Sequence, residues 1–431
     1  MSLENIINGI KKAACVGLVT IALMGGIARE GRTQETNFGY AIIKIEVPGV
    51  KWADIGIAIN NLGWVVGNSI FSLRPRKTAP FLYRDGITES IIPQQFIDIF
   101  GNDFSSEVCA VNDEGKMLIN AGVKDEHYVY KHDRGFVYNP NNGELIELPF
   151  KGVAMNNRGE VVGKRHLLRN GQVIDISLPP PSPRPPELQV EDLTIYGIND
   201  YTQIVGEVIL KDVESGENKT YPFVWEQGRM GVEVIHLLWY EDSDLPAFVK
   251  EPLYGVAHDI SNIVSEGLYS WQHIVGWFGY GYSEDYYFPY NFSCKWVRMS
   301  FLTIERGQLD TNYSEAYAVN DKGQSVGKRF KKIGGFIDYR YEPYAVLYKN
   351  QKIIELDDFL TGNSGFLHLS EARDINNNGW IIGDGVNRNR DGYLSPFLAK
   401  PLKEPSADLN KDGIVNFKDL AELAEHWLEE R

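Results

Sequence analysis

The sequence predicts an all-β fold: a seven-bladed β-propeller with a small α-helical calcium-loop module at its C-terminus. Three observations carry this reading. One short phrase recurs seven times along the middle of the chain. Each copy leads into β-branched and aromatic runs punctuated by Gly and Asn. The first and last of these runs also complement one another, as a closed ring requires.

The phrase is apolar-Asn-(Asn/Asp)-x-Gly-x-(Val/Ile)-Val-Gly. Unit 1 has Ala58-Ile59-Asn60 to Gly67 and unit 2 has Ala110-Val111-Asn112 to Ile119. Unit 3 has Ala154-Met155-Asn156 to Gly163, and unit 4 has Gly197-Ile198-Asn199 to Gly206. Unit 5 is degenerate, from Tyr254 to Asp259 and then His273 to Gly276, its turn enlarged by an insertion. Unit 6 has Ala318-Val319-Asn320 to Gly327, and unit 7 has Asp374-Ile375-Asn376 to Gly383. The copies lie roughly 43 to 62 residues apart.

Each unit continues alike. An aromatic strand follows, as in Pro80-Phe81-Leu82-Tyr83 or Pro222-Phe223-Val224-Trp225. Next come a Gly or Asn turn and a run such as Leu145-Ile146-Glu147-Leu148 or Ile353-Ile354-Glu355-Leu356. Such runs read as strands joined by hairpins, and four per unit at this period describe a propeller blade; a solenoid is the rival. Asn and Gly in the phrase suit tight turns, because both tolerate left-handed backbone.

Unit 7 runs from Ser395 to Ala399 into Pro401, so its fourth strand is missing. Residues 40–47, Tyr40-Ala41-Ile42-Ile43-Lys44-Ile45-Glu46-Val47, have strand composition but no phrase before them. They are expected to close the ring, hiding its edges. The propeller is thus expected over 40–400, followed by a linker at 401–405.

The N-terminus reads as an export signal over 1–28. Lys11 and Lys12 precede an apolar core from Ala13 to Met24, with Gly26 and Ala28 at the cleavage positions. That core is short of the ~20 residues that span a bilayer, and membrane attachment would require the signal to stay uncleaved. Losing Lys11, Lys12 and Glu4 moves the net charge from −15 to −16. Such acidity argues against nucleic acid as a partner. Beyond Cys15, only Cys109 and Cys294 occur, with no C-x-x-C pair, so neither a disulfide framework nor a zinc or redox site is expected.

Residues 406–431 carry a calcium loop. Asp408, Asn410 and Asp412 supply oxygens on alternate residues, Gly413 makes the turn, and Ile414 offers its carbonyl. Asn416 and Asp419 complete a set suited to Ca²⁺, which takes six to eight oxygens. Leu420, Leu423, Ala424 and Trp427 then form the stripe of an amphipathic helix. This stretch resembles one repeat of a type I dockerin, a family that carries two. The resemblance implies docking through Leu420, Leu423 and Trp427 onto a cohesin-like domain, or self-association. Over residues 50–400 the units resemble the HAF repeats of bacterial extracellular proteins, which implies an extracellular setting and no known reaction.

Other candidates are weaker. Asn387-Arg388-Asn389-Arg390-Asp391-Gly392 begins like a calcium loop, but Leu398 at position 12 cannot close it. His258, Asp259 and His273 lie in the degenerate unit without a Ser or Cys nucleophile phrase, and read as polar surface or turn residues. The aromatic run from Trp277 to Phe292, near Trp296, suits stacking on a sugar or peptide, or a long hairpin burying its own rings. Pro179–Pro186 reads as extended polyproline. The expected function is that of a secreted, non-catalytic binding or scaffold protein that docks through its tail and takes a polysaccharide or protein ligand on the propeller. The alternative is an extracellular carbohydrate-active hydrolase, whose two carboxylates cannot be paired from sequence.

Overall fold

The computed structural model describes residues 39–49, 54–73, 76–124, 130–176, 188–212, 215–216, 218–227, 233–237, 254–266, 269–280, 290–299, 303–308, 314–334, 339–350, 352–388 and 393–402. The expected signal (1–28), the polyproline run and the expected calcium module (406–431) fall outside them. Two compact units emerge, Tyr40–Pro401 and a second formed by Met1–Gly39 with Leu402–Arg431. In the second, the Leu402 amide donates to the Gly39 carbonyl at 2.9 Å. The first holds all the strands among the described residues.

Strand β1 (Tyr40–Lys44) precedes the repeats. Unit 1 contains β2 (Asp54–Ile59), β3 (Val65–Leu73), β4 (Arg76–Arg84) and β5 (Ile87–Ser90), followed by helix α1 (Gln94–Phe100). Unit 2 has β6 (Phe104–Val111), β7 (Met117–Lys124), β8 (Tyr130–Asn139) and β9 (Glu144–Glu147). Unit 3 is the smallest, with β10 (Ala154–Met155), β11 (Val161–Val162), β12 (His166–Arg169) and β13 (Gln172–Asp175). Unit 4 has β14 (Leu188–Ile198), β15 (Ile204–Asp212), β16 (Asn218–Gln227) and β17 (Glu233–Leu237).

Unit 5 has β18 (Tyr254–Ile260), β19 (Val264–Glu266), β20 (Tyr269–Tyr280), β21 (Tyr290–Met299) and β22 (Thr303–Gln308). Unit 6 has β23 (Ser314–Val319), β24 (Ser325–Gly334), β25 (Tyr339–Lys349) and β26 (Lys352–Glu355). Unit 7 has β27 (Phe366–Ile375), β28 (Ile381–Asn387) and β29 (Leu394–Pro401). The fourth strand of that last sheet is β1, antiparallel to β29 with Lys44 opposite Phe397.

Among the described residues the arrangement is all-β and propeller-like, with six blade-like sheets where seven blades were expected. Units 4 and 5 share one nine-stranded sheet. Among the described residues β17 pairs with β16 over Phe223–Gln227, and Thr220 of β16 pairs in parallel with Tyr254 of β18. An open strand edge takes whatever backbone lies beside it.

Packing explains the wording of the phrase. Successive strand residues face opposite sides, so each Val-Val pair serves two interfaces. Val65 packs with Phe81, Ile382 and Leu398, whereas Val66 packs with Val108 and Phe136. Val161 and Val162, Ile204 and Val205, and Ile381 and Ile382 divide in the same way. Among the described residues the buried apolar side chains fall into seven clusters. A fully buried Val contributes roughly 1.5–3 kcal/mol.

The closing Gly of the phrase is required by close approach. A Cβ on Gly67, Gly206, Gly327 or Gly383 would lie 1.9–2.2 Å from a carbonyl oxygen of the unit's first strand, at Ile55, Thr194, Glu315 or Glu371. The turn Gly has a different task. Gly63, Gly115, Gly159, Gly323 and Gly379 adopt φ between 69° and 82°, which a side chain resists. The preceding Asn residues are not left-handed, and this corrects the sequence reading. Instead Asn60 Oδ1 accepts from the Leu62 and Trp64 amides, while its Nδ2 donates to the Asn112 carbonyl of the next unit.

Candidate binding site on the inner strands

The second residue of each turn builds a closed belt. The Asn61 amide donates to Asp113 Oδ1, Asp113 to Asn157, Asn157 to Asp200, and Asp200 to Asn262. The Asn262 amide then donates to Asp321, Asp321 to Asn377, and Asn377 back to Asn61, every bond being 2.8–2.9 Å. Seven turns are thereby locked in sequence around a cavity of about 170 Å³ lined mainly by their Asn, Asp and Ser residues. Carboxylates of Asp113 and Asp200 also accept from the side-chain amides of Asn61 and Asn157. The belt uses its own polar groups and so reads as a frame.

Chemistry sits one step along the inner strands. Three residues before the turn Asn, the first strand bulges in six units, at Ile57, Cys109, Tyr196, His258, Tyr317 and Arg373. A bulge re-aims its side chain out of the regular pleat. Units 1 to 3 present Ile57, Cys109 and Val153 at this position, and units 4 to 7 present Tyr196, His258, Tyr317 and Arg373. These four form a continuous arc. Tyr196 meets His258 edge-on at 5.3 Å between centroids, and His258 meets Tyr317 at 5.6 Å.

First and second strands together supply the arc's carboxylates and ammonium. Tyr196 donates to Glu207 Oε1 at 2.9 Å and Tyr317 to Glu315 Oε2 at 2.6 Å. Lys328 pairs with Glu315 at 3.1 Å and lies 5.3 Å from the Tyr317 ring centre. Arg373 is shared between Glu371 and Asp384, its Nε 2.6 Å from Asp384 Oδ2. The other Asp384 oxygen accepts from the Gly56 amide across the ring closure.

Burial holds both tyrosines protonated, raising Tyr196 with help from Glu207 and Tyr317 with help from Glu315. Burial also pushes His258 down to about 4, opposed by Glu315 and assisted by Lys328. The imidazole is therefore neutral at pH 7. Its Nε2 is buried and has no hydrogen-bond partner among the described residues. Each such atom in a folded protein asks for an explanation.

His258 and Asp259 are consequently neither surface nor turn residues, contrary to the sequence reading. Asp259 is half-buried and accepts from the Val319 amide at 2.9 Å; desolvation raises it to about 6. Asp374, likewise half-buried, accepts from the Ile59 amide at 2.8 Å, and desolvation raises it to about 7. His273 does flank a turn, since its amide donates to Ser261 Oγ and its carbonyl accepts from the Ser261 amide. Asn387 ends β28 and donates to Ser395 Oγ. Of the aromatic run, 277–280 and 290–299 pair as the backbone of β20 and β21, and 281–289 lie outside the described residues.

The metal set Asp408, Asn410, Asp412, Ile414, Asn416 and Asp419, and the docking stripe Leu420, Leu423 and Trp427, also lie outside them. Among the described residues no His, Cys, Asp and Glu cluster could hold a metal ion, and no helix is long and apolar enough to cross a membrane. The arc was missed because each phrase was read for its shared residues. Aligning the seven units on Asn and reading the third column before it would have displayed Tyr, His, Tyr and Arg in series.

A family model described as a protein of unknown function, DUF3466, matches residues 278–394. A search of the curated proteins finds no match. Among solved structures, a protein of unknown function from Dyadobacter fermentans is 10% identical, with a TM-score of 0.38, covering 84% of this chain and 100% of its own. The GH93 α-L-arabinofuranosidase of Fusarium graminearum is 9% identical at a TM-score of 0.33, with 84% and 98% covered. The β-propeller domain of the Trilobed protease from Pyrococcus furiosus is 11% identical at 0.29, with 82% and 84% covered.

Proposed function

We propose that this chain is a secreted binding protein: a ring of seven repeat units that takes a partner against the inner-strand arc of units 4 to 7. One observation carries the reading. Four consecutive inner strands place Tyr196, His258, Tyr317 and Arg373 in series, the three rings in edge-on contact, and His258 Nε2 has no hydrogen-bond partner among the described residues. A purely structural core would fill this column as units 1 to 3 do, with Ile57, Cys109 and Val153. The belt of turns serves as a stiff support, which suits recognition better than a mobile loop would.

Attachment belongs to the tail in this proposal. Asp408, Asn410, Asp412, Ile414, Asn416 and Asp419 hold Ca²⁺, and Leu420, Leu423 and Trp427 dock on a cohesin-like domain or on a second copy. Export follows from the reading of residues 1–28. The test is retention of the purified full-length protein on a panel of immobilised polysaccharides and extracellular proteins, with and without EGTA, together with a reducing-sugar assay. Retention without product release supports the proposal. Sugar release would make the chain the hydrolase instead, and retention of nothing would remove it.

A further inference from the structure

The belt of turns encloses a cavity of about 170 Å³ that neither Tyr196 nor His258 lines, a place distinct from the arc. At roughly 30 Å³ per water, it has room for about five or six waters or one small organic group. The seven belt residues are each half-buried, and Arg158, Lys322 and Asn378 just beyond them are exposed, so the cavity opens to solvent at the turns. Inside the belt, the wall is the buried apolar residue two places before each belt residue, such as Ile59, Met155 and Ile375.

Charge decides what this cavity can take. Asp113, Asp200 and Asp321 line it from alternate units 2, 4 and 6, and Asp259 of unit 5 lines it too. Among the described residues no lysine or arginine lines it, and none of the three belt carboxylates is ion-paired. Lys116 and Arg158, close by in sequence, pair with Glu114 and Glu160 instead. A carboxylate has about four lone-pair positions. Among the described residues Asp113 accepts two hydrogen bonds, and Asp200 and Asp321 accept three each. Every donor is a neutral amide, so acceptor capacity and negative charge are both left over.

An anion would be repelled, and a neutral ligand would leave the charge unbalanced. A bare metal ion does not fit, since no His, Cys, Asp and Glu cluster among the described residues could hold one, and it would leave the apolar wall wet. A quaternary ammonium or a guanidinium is best held by aromatic faces, and no aromatic side chain lines the cavity among the described residues. A primary ammonium brings three donors, and an alkyl stem covers apolar surface. We infer that the cavity is a site for a small primary alkylammonium group, held among Asp113, Asp200 and Asp321 with its stem along Ile59, Met155, Ile375 and their counterparts.

The experiment is titration calorimetry of the full-length protein at pH 7 in EGTA with n-butylammonium and with N-acetyl-lysine methylamide, which carries the same group as a protein side chain does. The comparators are 1-butanol, tetramethylammonium and Mg²⁺. At least one ammonium probe is expected to bind, weakening about 10-fold or more in the double variant Asp200→Asn with Asp321→Asn. Asn already occupies this belt position in units 1, 3, 5 and 7, so the double variant keeps the frame. Asp113→Asn, expected to weaken binding about 3-fold, keeps the test available if the double variant fails to fold. Which probe binds names the source, a free amine or a partner's lysine, and either supports the site. Binding of neither ammonium would overturn it, as would binding unchanged in both variants at wild-type melting temperature. So would a preference for 1-butanol or tetramethylammonium, or a Mg²⁺ signal that replaces the ammonium one and is lost in the double variant.

Discussion

Units 1 to 3 and units 4 to 7 share one skeleton and differ in what they place upon it. Both halves have the bulged first strand, the divided Val-Val pair, the close-approach Gly and the belt of turns. In the first half, neighbouring units are stitched by neutral amides. Asn68 both accepts from and donates to Val108, and Asn120 does the same to Gly152. At the ring closure the corresponding residue is Asp384, which accepts from Gly56 and needs Arg373 to balance it. An amide can satisfy a backbone N–H and C=O together without charge. Spending a buried carboxylate where an amide suffices costs stability, and such costs concentrate at functional sites.

The comparison breaks most severely if its shared part is not shared. Gly67→Ala and Gly383→Ala are each expected to destabilise by more than about 4 kcal/mol, since the new Cβ would meet the Ile55 or the Glu371 carbonyl oxygen at 2.2 or 2.1 Å. Soluble yield and thermal melting check this. Tolerance in one half alone would mean that the halves have different frames.

Exchanging the stitches comes next. Asn120→Asp buries a carboxylate against the Gly152 carbonyl and is expected to cost about 3 kcal/mol at pH 8. The reverse exchange, Asp384→Asn, removes a buried charge but leaves Arg373 with Glu371 alone, and is expected to cost only about 1 kcal/mol. Equal losses would erase the distinction between an amide half and a charged half.

Acidity sharpens the same contrast. Burial raises Asp374 to about 7 and both Asp259 and Asp384 to about 6, all above an unfolded value near 3.9. The folded state therefore binds these protons more tightly than the unfolded chain does. Their contribution is fully present below about pH 4 and is lost as pH rises to about 7. Asp374→Asn is expected to raise the melting temperature by about 2 °C or more at pH 8 and to change it little at pH 4. A benefit of equal size at both values would refute the assignment.

The smallest effect is expected at Thr202, which holds φ 60° where five other units have Gly. Thr202→Gly relieves that strain but removes the hydrogen bonds to Glu160 and Arg158, so the net change should stay below about 1 kcal/mol by chemical denaturation.

Much of the frame was legible in the sequence because it repeats. Seven copies of one phrase reveal strand, turn and period together, and the unpartnered run at 40–47 supplied a strand without a unit of its own. The site was less legible, since it consists of what the copies do not share. His258 stood in the most degenerate unit, where the phrase itself was hardest to align. The role of Asn was also misread: a turn residue can be chosen for left-handed backbone or for side-chain bonds, and composition alone does not separate these.

The sequence by itself determined the strand content, the number of phrases and the identity of the residues at every repeat position, because local pattern and turn chemistry act over a few residues. Only the tertiary structure decided which of those positions meet. The fusion of units 4 and 5 depends on the parallel pairing of Thr220 with Tyr254, and the arc depends on a bulge repeated in four adjacent strands. Both are contacts between residues distant along the chain, 34 apart for Thr220 and Tyr254 and 56 to 62 apart for neighbours in the arc. Chain proximity says nothing about such contacts until the ring brings the segments together.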